Sequence, residues 1–188
     1  MPTVPEPPCV AVRRVRPDDA ARVRALRLEM LADSPLAFLE TLDEAAARSH
    51  VEYQARIAMM ATGDDRGQFV AERTPPGAGP FVGHAGGMAW PDDPLTTVIF
   101  AVYVAPAYRG TGVLGQLVAG VAAWSLAAGR PELLLEVVTG NHRALRAYQR
   151  LGFVDTGVRV PHPTIPVLTE QQLRRSAAAS KAAQPTTA

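Results

Sequence analysis

The spacing of apolar residues changes along the chain, and this change limits the folds that the sequence can adopt. Apolar residues recur at helical spacing over 17–31 and 49–61, and then at the shorter period of strands over 68–73, 81–90 and 97–104. After residue 112, predicted helices at 113–128 and 141–151 alternate with predicted strands at 132–138 and 153–160. This order predicts an α/β (α+β) fold in which helices flank a mixed sheet.

Two features of the strand region add detail to this prediction. The segment 74–80 is rich in proline and glycine, which predicts a hairpin between the strands at 68–73 and 81–90. The strand at 97–104 is almost wholly apolar, which predicts a central place in the sheet. The proline-broken segment after residue 160 carries no predicted element.

Length and composition indicate one globular domain. The chain has 188 residues, of which 47% are hydrophobic and 20% charged. These values suit a domain with its own core. We expect this domain at 10–175, between flexible tails at 1–9 and 176–188.

Charge and cysteine content exclude several classes of protein. Nineteen basic residues against 18 acidic residues leave a net charge of +1, which argues against nucleic acid as a partner. The single cysteine, Cys9, forms no internal disulfide, and no Cys/His cluster indicates a metal site. The sequence shows neither a secretory signal nor an apolar segment long enough to span a membrane. We therefore expect a cytoplasmic protein that has no metal and does not bind membranes.

The junction after the central strand carries the strongest functional signal. Gly110, Gly112 and Gly115 stand between this strand and the next predicted helix. Glycines here let backbone N–H groups converge on an anion, and the helix N-terminus adds partial positive charge. The turn thus predicts a phosphate or pyrophosphate site, although glycines can also serve only to make a tight turn.

The run 110–115 also matches the dinucleotide-binding pattern GxGxxG, and Glu136 follows about twenty residues later. Two observations weaken this reading. Residues 105–109 separate the glycines from the strand, and only 73 residues follow Gly115, too few for a full dinucleotide-binding domain with a substrate domain. A nucleotide-binding oxidoreductase is therefore the less favoured alternative.

Two motifs together resemble the GNAT superfamily of acetyl-CoA-dependent N-acetyltransferases. The first is the run RGTGVL at 109–114, in which Leu114 stands where glycine or alanine is usual. The second contains the strand LEVV at 135–138, then Asn141, Ala144, Tyr148 and the pair GF at 152–153. The resemblance extends over roughly 10–175 and implies a mostly antiparallel sheet in a single domain.

The resemblance also implies how acetyl-CoA is bound as co-substrate. The pantetheine arm would lie along the central strand, the pyrophosphate would bind backbone amides of the glycine turn, and Asn141 would lie near the pantetheine. The implied acetyl-CoA-binding residues are Val102, Val104, Arg109, Gly110, Gly112, Val113, Leu114, Gly115, Asn141 and Tyr148.

Two residues are candidates for proton transfer. Tyr148 follows Asn141 by seven residues, which predicts that both project from one helix face. The resemblance makes Tyr148 the acid that protonates the departing CoA thiolate, while its alternative is a packing residue. Glu136, on a strand predicted to be buried, is the candidate base because burial would raise its pKa, unless its carboxylate lies in solvent. Glu72 and His84 are weaker candidates, and an ordered water is another.

These observations predict an N-acetyltransferase that transfers acetyl directly to a primary amine within a ternary complex. The amine belongs to a small molecule or to a protein or peptide, and a homodimer is compatible with the sequence. The alternative, motivated by the apolar residues where many relatives carry a strand glutamate, is an acetyl-CoA-binding regulatory module without catalysis. Acceptor choice is expected to depend on the first two helices, the loop 90–95 and the segment 160–167.

Overall fold

The computed structural model describes residues 9–75 and 79–178, so most of the two predicted tails lies outside the described residues. Within them the chain forms seven strands and five α-helices. The strands are β1 (Val10–Arg14), β2 (Arg66–Arg73), β3 (Phe81–Trp90), β4 (Asp93–Val104), β5 (Glu132–Val138), β6 (Val154–Pro161) and β7 (Thr169–Ser176). The helices are α1 (Ala20–Asp33), α2 (Leu42–Ala47), α3 (His50–Thr62), α4 (Val113–Ala127) and α5 (His142–Arg150).

The strands form one sheet in the order β1-β2-β3-β4-β5-β7-β6. β4 pairs with β5 in parallel through Thr96–Val98 and Glu132–Leu134. The pairs β1–β2, β5–β7 and β7–β6 are antiparallel. The predicted mostly antiparallel sheet with flanking helices is confirmed, and the apolar strand β4 is central as predicted.

The chain divides into two compact units, and the first contains Met1–Gly86 and Ala101–Val121. Its core includes Met30, Ile57, Val70 and Leu117, all almost fully buried. Two helices in this unit begin at capping boxes, since Thr41 pairs with Glu44 at α2 and Ser49 pairs with Glu52 at α3. Such reciprocal bonds satisfy N–H groups that a helix start leaves without partners.

A charged network connects β1, β2 and α1 within this first unit. Glu72 accepts hydrogen bonds from Arg13 at 2.6 Å and from Arg22 at 2.9 Å. Asp19 accepts a second bond from Arg13, at 2.6 Å. Both carboxylates are buried, so their paired arginines compensate for the loss of water.

The second unit contains Gly87–Phe100 and Ala122–Ala188. Its core is built from the strand β5 and from β7, with Leu133, Leu135 and Leu173 almost fully buried. Ser125 on α4 lies 2.7 Å from the Thr97 hydroxyl oxygen and 2.6 Å from the Arg130 carbonyl oxygen. This polar contact fixes the end of α4 against β4, because all three residues are buried.

Three elements were absent from the sequence-based prediction. β1 and α2 are short, with five and six residues, so their apolar pattern is brief. β7 reads TEQQLRRS, and only Gln171 and Leu173 of it are buried. β7 nevertheless lies between β5 and β6, where pairing on both edges compensates for its polar composition. It ends at Ser176, and Ala177 is buried, so ordered structure continues just past the expected boundary at residue 175.

None of the helices in the described part of the chain is both long and apolar enough to cross a membrane.

Candidate active site

The glycine turn of the first unit adopts a conformation that requires glycine. Gly110 has φ 82° and Gly112 has φ 92°, a region that other residues rarely adopt. A Cβ atom added at either glycine would meet no atom within 4 Å. The turn is therefore open at both positions and is shaped by backbone conformation, not by close packing.

Helix α4 begins directly after this turn. Its first helical hydrogen bond joins the Gln116 amide to the Gly112 carbonyl oxygen at 3.2 Å. The amides of Val113, Leu114 and Gly115 precede that bond, and the first amides of a helix have no acceptor within the helix. Together with the partial positive charge of the helix start, they fit the predicted pyrophosphate ligand.

Arg109, an expected acetyl-CoA-binding residue, makes its contacts within the protein. Its Nε donates to the Val104 carbonyl oxygen at 2.9 Å, and its guanidinium pairs with Asp33. The charge is thus shared with a carboxylate, and the Val104 carbonyl already accepts a hydrogen bond. Arg109 stabilises the junction between β4 and the turn, and its contact with a cofactor stays a prediction.

The end of β4 that belongs to the first unit has an irregular backbone. Ala101 has φ 50°, in the left-handed region that residues other than glycine rarely adopt. A Cβ atom at Gly83 of β3 would lie 2.8 Å from the Tyr103 carbonyl oxygen. The absent side chain of Gly83 therefore allows β3 to approach this part of β4 closely.

In the second unit, Asn141 lies outside the helix on which the sequence spacing placed it. It is the N-cap of α5, and its side-chain oxygen accepts a hydrogen bond from the Ala144 amide at 3.2 Å. Asn141 thus lies at the start of α5 and not within it, and the expectation that it projects from the same helix face as Tyr148 stays a prediction. Its contact with pantetheine stays a prediction.

Tyr148 is buried on α5. Its ring packs edge-on against Phe153, with ring centroids 5.6 Å apart. Burial raises the pKa of the Tyr148 phenol, so the group keeps its proton at neutral pH. Within the described residues, its hydroxyl makes no hydrogen bond. A protonated hydroxyl without a protein partner suits a proton donor.

Glu136 is exposed, although Leu133, Leu134 and Leu135 before it are buried. The expected burial of Glu136 is therefore wrong, and its carboxylate lies in solvent, the alternative that the sequence left open. A neighbour that the sequence analysis missed, Glu170 of β7, does have a raised pKa, owing first to burial and then to the negative charge of Glu136. Glu170 lies in a strand that local sequence patterns did not predict, which explains why it was not among the candidates.

The two weaker base candidates lie in the first unit and differ from each other. Burial would raise the pKa of Glu72, but the hydrogen bonds from Arg13 and Arg22 lower it below its usual value. Glu72 is thus an ion-pair partner that holds no proton at neutral pH. Burial first, and then two arginine charges, lower the pKa of His84 to about 3, so its imidazole is neutral and a weak base.

No group of three or more histidine, cysteine, aspartate or glutamate side chains could hold a metal ion within residues 9–75 and 79–178.

Comparison with solved structures places this fold among known acetyltransferases. An acetyltransferase of the GNAT family from Streptococcus pneumoniae is 19% identical, with a TM-score of 0.74 over 89% of this chain and 99% of that one. The yncA protein of Salmonella typhimurium, solved with its cofactor acetyl-CoA, is 17% identical, with a TM-score of 0.70 over 94% and 99%. Spermidine N-acetyltransferase from Vibrio cholerae, solved with CoA and spermine, is 14% identical, with a TM-score of 0.69 over 89% and 95%.

No sequence among curated proteins matches the chain significantly. The family model described as acetyltransferase (GNAT) family matches residues 29–153, which include the end of α1, the central strand, the glycine turn, α4, β5 and α5. The chain belongs to the acetyltransferase (GNAT) family.

Proposed function

We propose that this protein is an N-acetyltransferase that uses acetyl-CoA as its co-substrate and transfers the acetyl group to a primary amine. The observation that carries the proposal is the glycine turn, in which Gly110 and Gly112 leave open space before the amides at the start of α4. The presence of acetyl-CoA in the Salmonella typhimurium neighbour and of CoA in the Vibrio cholerae neighbour supports the choice of co-substrate.

The residues of the turn would hold the diphosphate part of acetyl-CoA. The diphosphate would accept hydrogen bonds from the backbone amides of the turn and of the helix start, namely Gly110, Gly112, Val113, Leu114 and Gly115. Backbone amides alone can bind an anion in this way, so no lysine side chain is needed. Backbone groups of Val102 and Val104 would pair with the pantetheine arm, with Asn141 near that arm. Bound in this way, acetyl-CoA supplies a thioester whose carbonyl carbon the amine can attack.

Proton transfers accompany the attack. The amine forms a bond to the acetyl carbon, the carbon–sulfur bond breaks, and the sulfur leaves with its electron pair. Tyr148 donates its proton to that sulfur, and Glu136 accepts the proton that the amine loses, directly or through water. The reaction needs no covalent enzyme intermediate, because both substrates react in one ternary complex.

Calorimetric titration with acetyl-CoA, with NAD as the parallel control, tests the co-substrate. Micromolar binding of acetyl-CoA alone is expected. Binding of NAD in its place would favour the oxidoreductase reading of the GxGxxG run. Release of free CoA thiol in the presence of an amine panel then tests transfer, and binding without turnover on any amine would favour the regulatory module.

A further inference from the structure

Three arginines of the first unit surround one carboxylate. Glu40 accepts a hydrogen bond from Arg27 of α1 at 2.7 Å. Its other oxygen lies 2.5 Å from the guanidinium of Arg48, in the segment between α2 and α3. All three side chains are largely removed from water, with exposed fractions of 11% for Arg27, 12% for Glu40 and 27% for Arg48. The single negative charge is therefore already shared between two cations.

Arg56 of α3 is the third cation, and it has no such partner. It is partly buried, and within the described residues it makes neither a hydrogen bond nor an ion pair. Burial, and then the charge of Arg27, lower the pKa of its guanidinium, while Glu40 acts in the opposite direction. A partly buried cation without a counterion is unfavourable in the free protein. It becomes favourable when an anion binds.

A second polar group beside these arginines also lacks a partner. His84 of β3 is 3% exposed, and its Nε2 atom lies 2.9 Å from the Met30 sulfur on α1. Its Nδ1 atom is buried and has no hydrogen-bond partner in the part of the chain that the structure describes. Arg27 and Arg56 are the two charged groups that act on the ring. An unpaired ring nitrogen and an unpaired guanidinium thus occur in one region.

This region adjoins the segment of β4 that we propose for pantetheine. Gly83, the residue before His84, approaches the Tyr103 carbonyl oxygen and the Val104 Cα, at 2.8 Å and 3.5 Å from its ideal Cβ position. The Tyr103 hydroxyl donates to Glu29, the residue before Met30, at 3.1 Å. The region that contains Arg27, Arg56 and His84 therefore lies next to the proposed path of the pantetheine arm.

We propose that the acceptor carries an anionic group in addition to its primary amine, and that Arg56, with Arg27 and Arg48 beside it, binds that anionic group. The inference rests on the proposed function and adds the substrate class to it. Guanidinium groups recognise carboxylates and phosphates through paired hydrogen bonds. A polyamine such as the spermine bound by the Vibrio cholerae neighbour would instead bring positive charge to the same arginines.

Matched pairs of acceptors test the proposal. The first pair is an α-amino acid panel with free carboxylates against the corresponding amino acid amides, and the second is glucosamine 6-phosphate against glucosamine. Spermidine is the cationic comparison. Thiol release is measured with saturating acetyl-CoA, and kcat/KM should be higher for the anionic member of at least one pair. The pair that shows this difference identifies the recognised group as a carboxylate or a phosphate. Equal or higher kcat/KM for the neutral members, or a preference for spermidine, would overturn the inference.

The variant Arg56→Gln tests the residue itself, and Arg66→Gln is the matched control, since Arg66 is an exposed arginine at the start of β2. We expect Arg56→Gln to raise KM for the anionic acceptor roughly 10- to 100-fold while kcat, the KM of the neutral partner and the acetyl-CoA Kd stay unchanged. The control should match wild type.

The outcomes separate this inference from the function on which it rests. Loss of acetyl-CoA binding by the wild-type protein would refute the proposed function. Normal acetyl-CoA binding with an unchanged KM in Arg56→Gln would refute only the role of Arg56. A weakened acetyl-CoA Kd in Arg56→Gln would assign the arginines to the cofactor phosphates and would also overturn the inference.

Discussion

At the scale of single residues, Tyr148 is a buried phenol whose hydroxyl has no hydrogen-bond partner within the described residues. Replacing it by phenylalanine removes one oxygen atom and leaves the packing against Phe153 intact. We expect Tyr148→Phe to lower turnover roughly 100-fold because the thiolate loses its proton donor. The acetyl-CoA Kd and the unfolding midpoint should change little. Steady-state thiol release measures the turnover, and calorimetry measures the acetyl-CoA Kd and the unfolding midpoint. Undiminished turnover would remove Tyr148 from the mechanism.

Gly112 permits a second prediction at this scale, with Gly129 as a matched control. Both glycines have positive φ, 92° and 73°, and both have open space where a Cβ would lie. Alanine at either position should cost roughly 1–2 kcal/mol of stability because the left-handed backbone is strained. Only Gly112→Ala should also weaken acetyl-CoA binding, since Gly129 lies after α4 and far along the chain from the turn. Equal acetyl-CoA affinity in the two variants would argue against the turn as the phosphate site.

At the scale of elements, the ion-pair network of β1, β2 and α1 makes stability depend on pH. Burial opposes ionisation of Glu72 and Asp19, but the hydrogen bonds from arginines dominate. They lower the pKa of Glu72 below its ordinary value of 4.5 and the pKa of Asp19 below its ordinary value of 3.8. The stabilisation is therefore complete above about pH 4.5 and is lost as pH falls through the lowered folded-state values. Urea unfolding between pH 7 and pH 3 should show this decline.

The variant Glu72→Gln isolates the contribution of one carboxylate to this decline. It should lower the free energy of unfolding at pH 7 by roughly 2 kcal/mol, because two charge-assisted hydrogen bonds become neutral ones. Its stability should then vary less between pH 5 and pH 3 than that of the wild type. Asp18→Asn is the control, an exposed carboxylate one residue before Asp19. An acid decline as steep in Glu72→Gln as in wild type would exclude Glu72 as its source.

At the scale of the whole molecule, acetyl-CoA should stabilise the folded chain if it binds only to the folded state. At a concentration of 100 times its Kd, the expected gain is about 2.7 kcal/mol. For a chain of 188 residues this gain corresponds to a rise in Tm of roughly 5–10 °C. Thermal unfolding followed by circular dichroism measures the rise, and NAD at the same concentration should leave Tm unchanged. A Tm that responds to NAD alone would contradict the proposed co-substrate.

Much of the architecture could be predicted because its elements carry strong local patterns. The bounds of β3 and β5 agree with prediction residue for residue, since both are apolar runs ended by glycine, proline or turn residues. Helix α4 is predicted to within one residue for the same reason. The glycine turn was predicted as well, because a positive φ at Gly110 and Gly112 is available to few other residues.

Other features depend on contacts between residues that are far apart in the sequence. The polar strand β7 exists because β5 and β6 supply hydrogen bonds on its two edges, and no local pattern reports those partners. The same holds for Glu136, whose exposure its apolar neighbours did not indicate. Glu170 was missed because its strand was missed.

Local periodicity, short motifs and the backbone conformations that single residues allow were therefore enough to predict the class of fold, the family resemblance and the glycine turn. The pairing of charges depends instead on the tertiary structure. It pairs Arg109 with Asp33 and shares Glu40 between Arg27 and Arg48, and among the described residues it gives Arg56 no ion pair. The energy of a charge pair depends on the distance between the two charges and on their burial. For residues from separate helices and strands, both quantities are known only once the chain is folded.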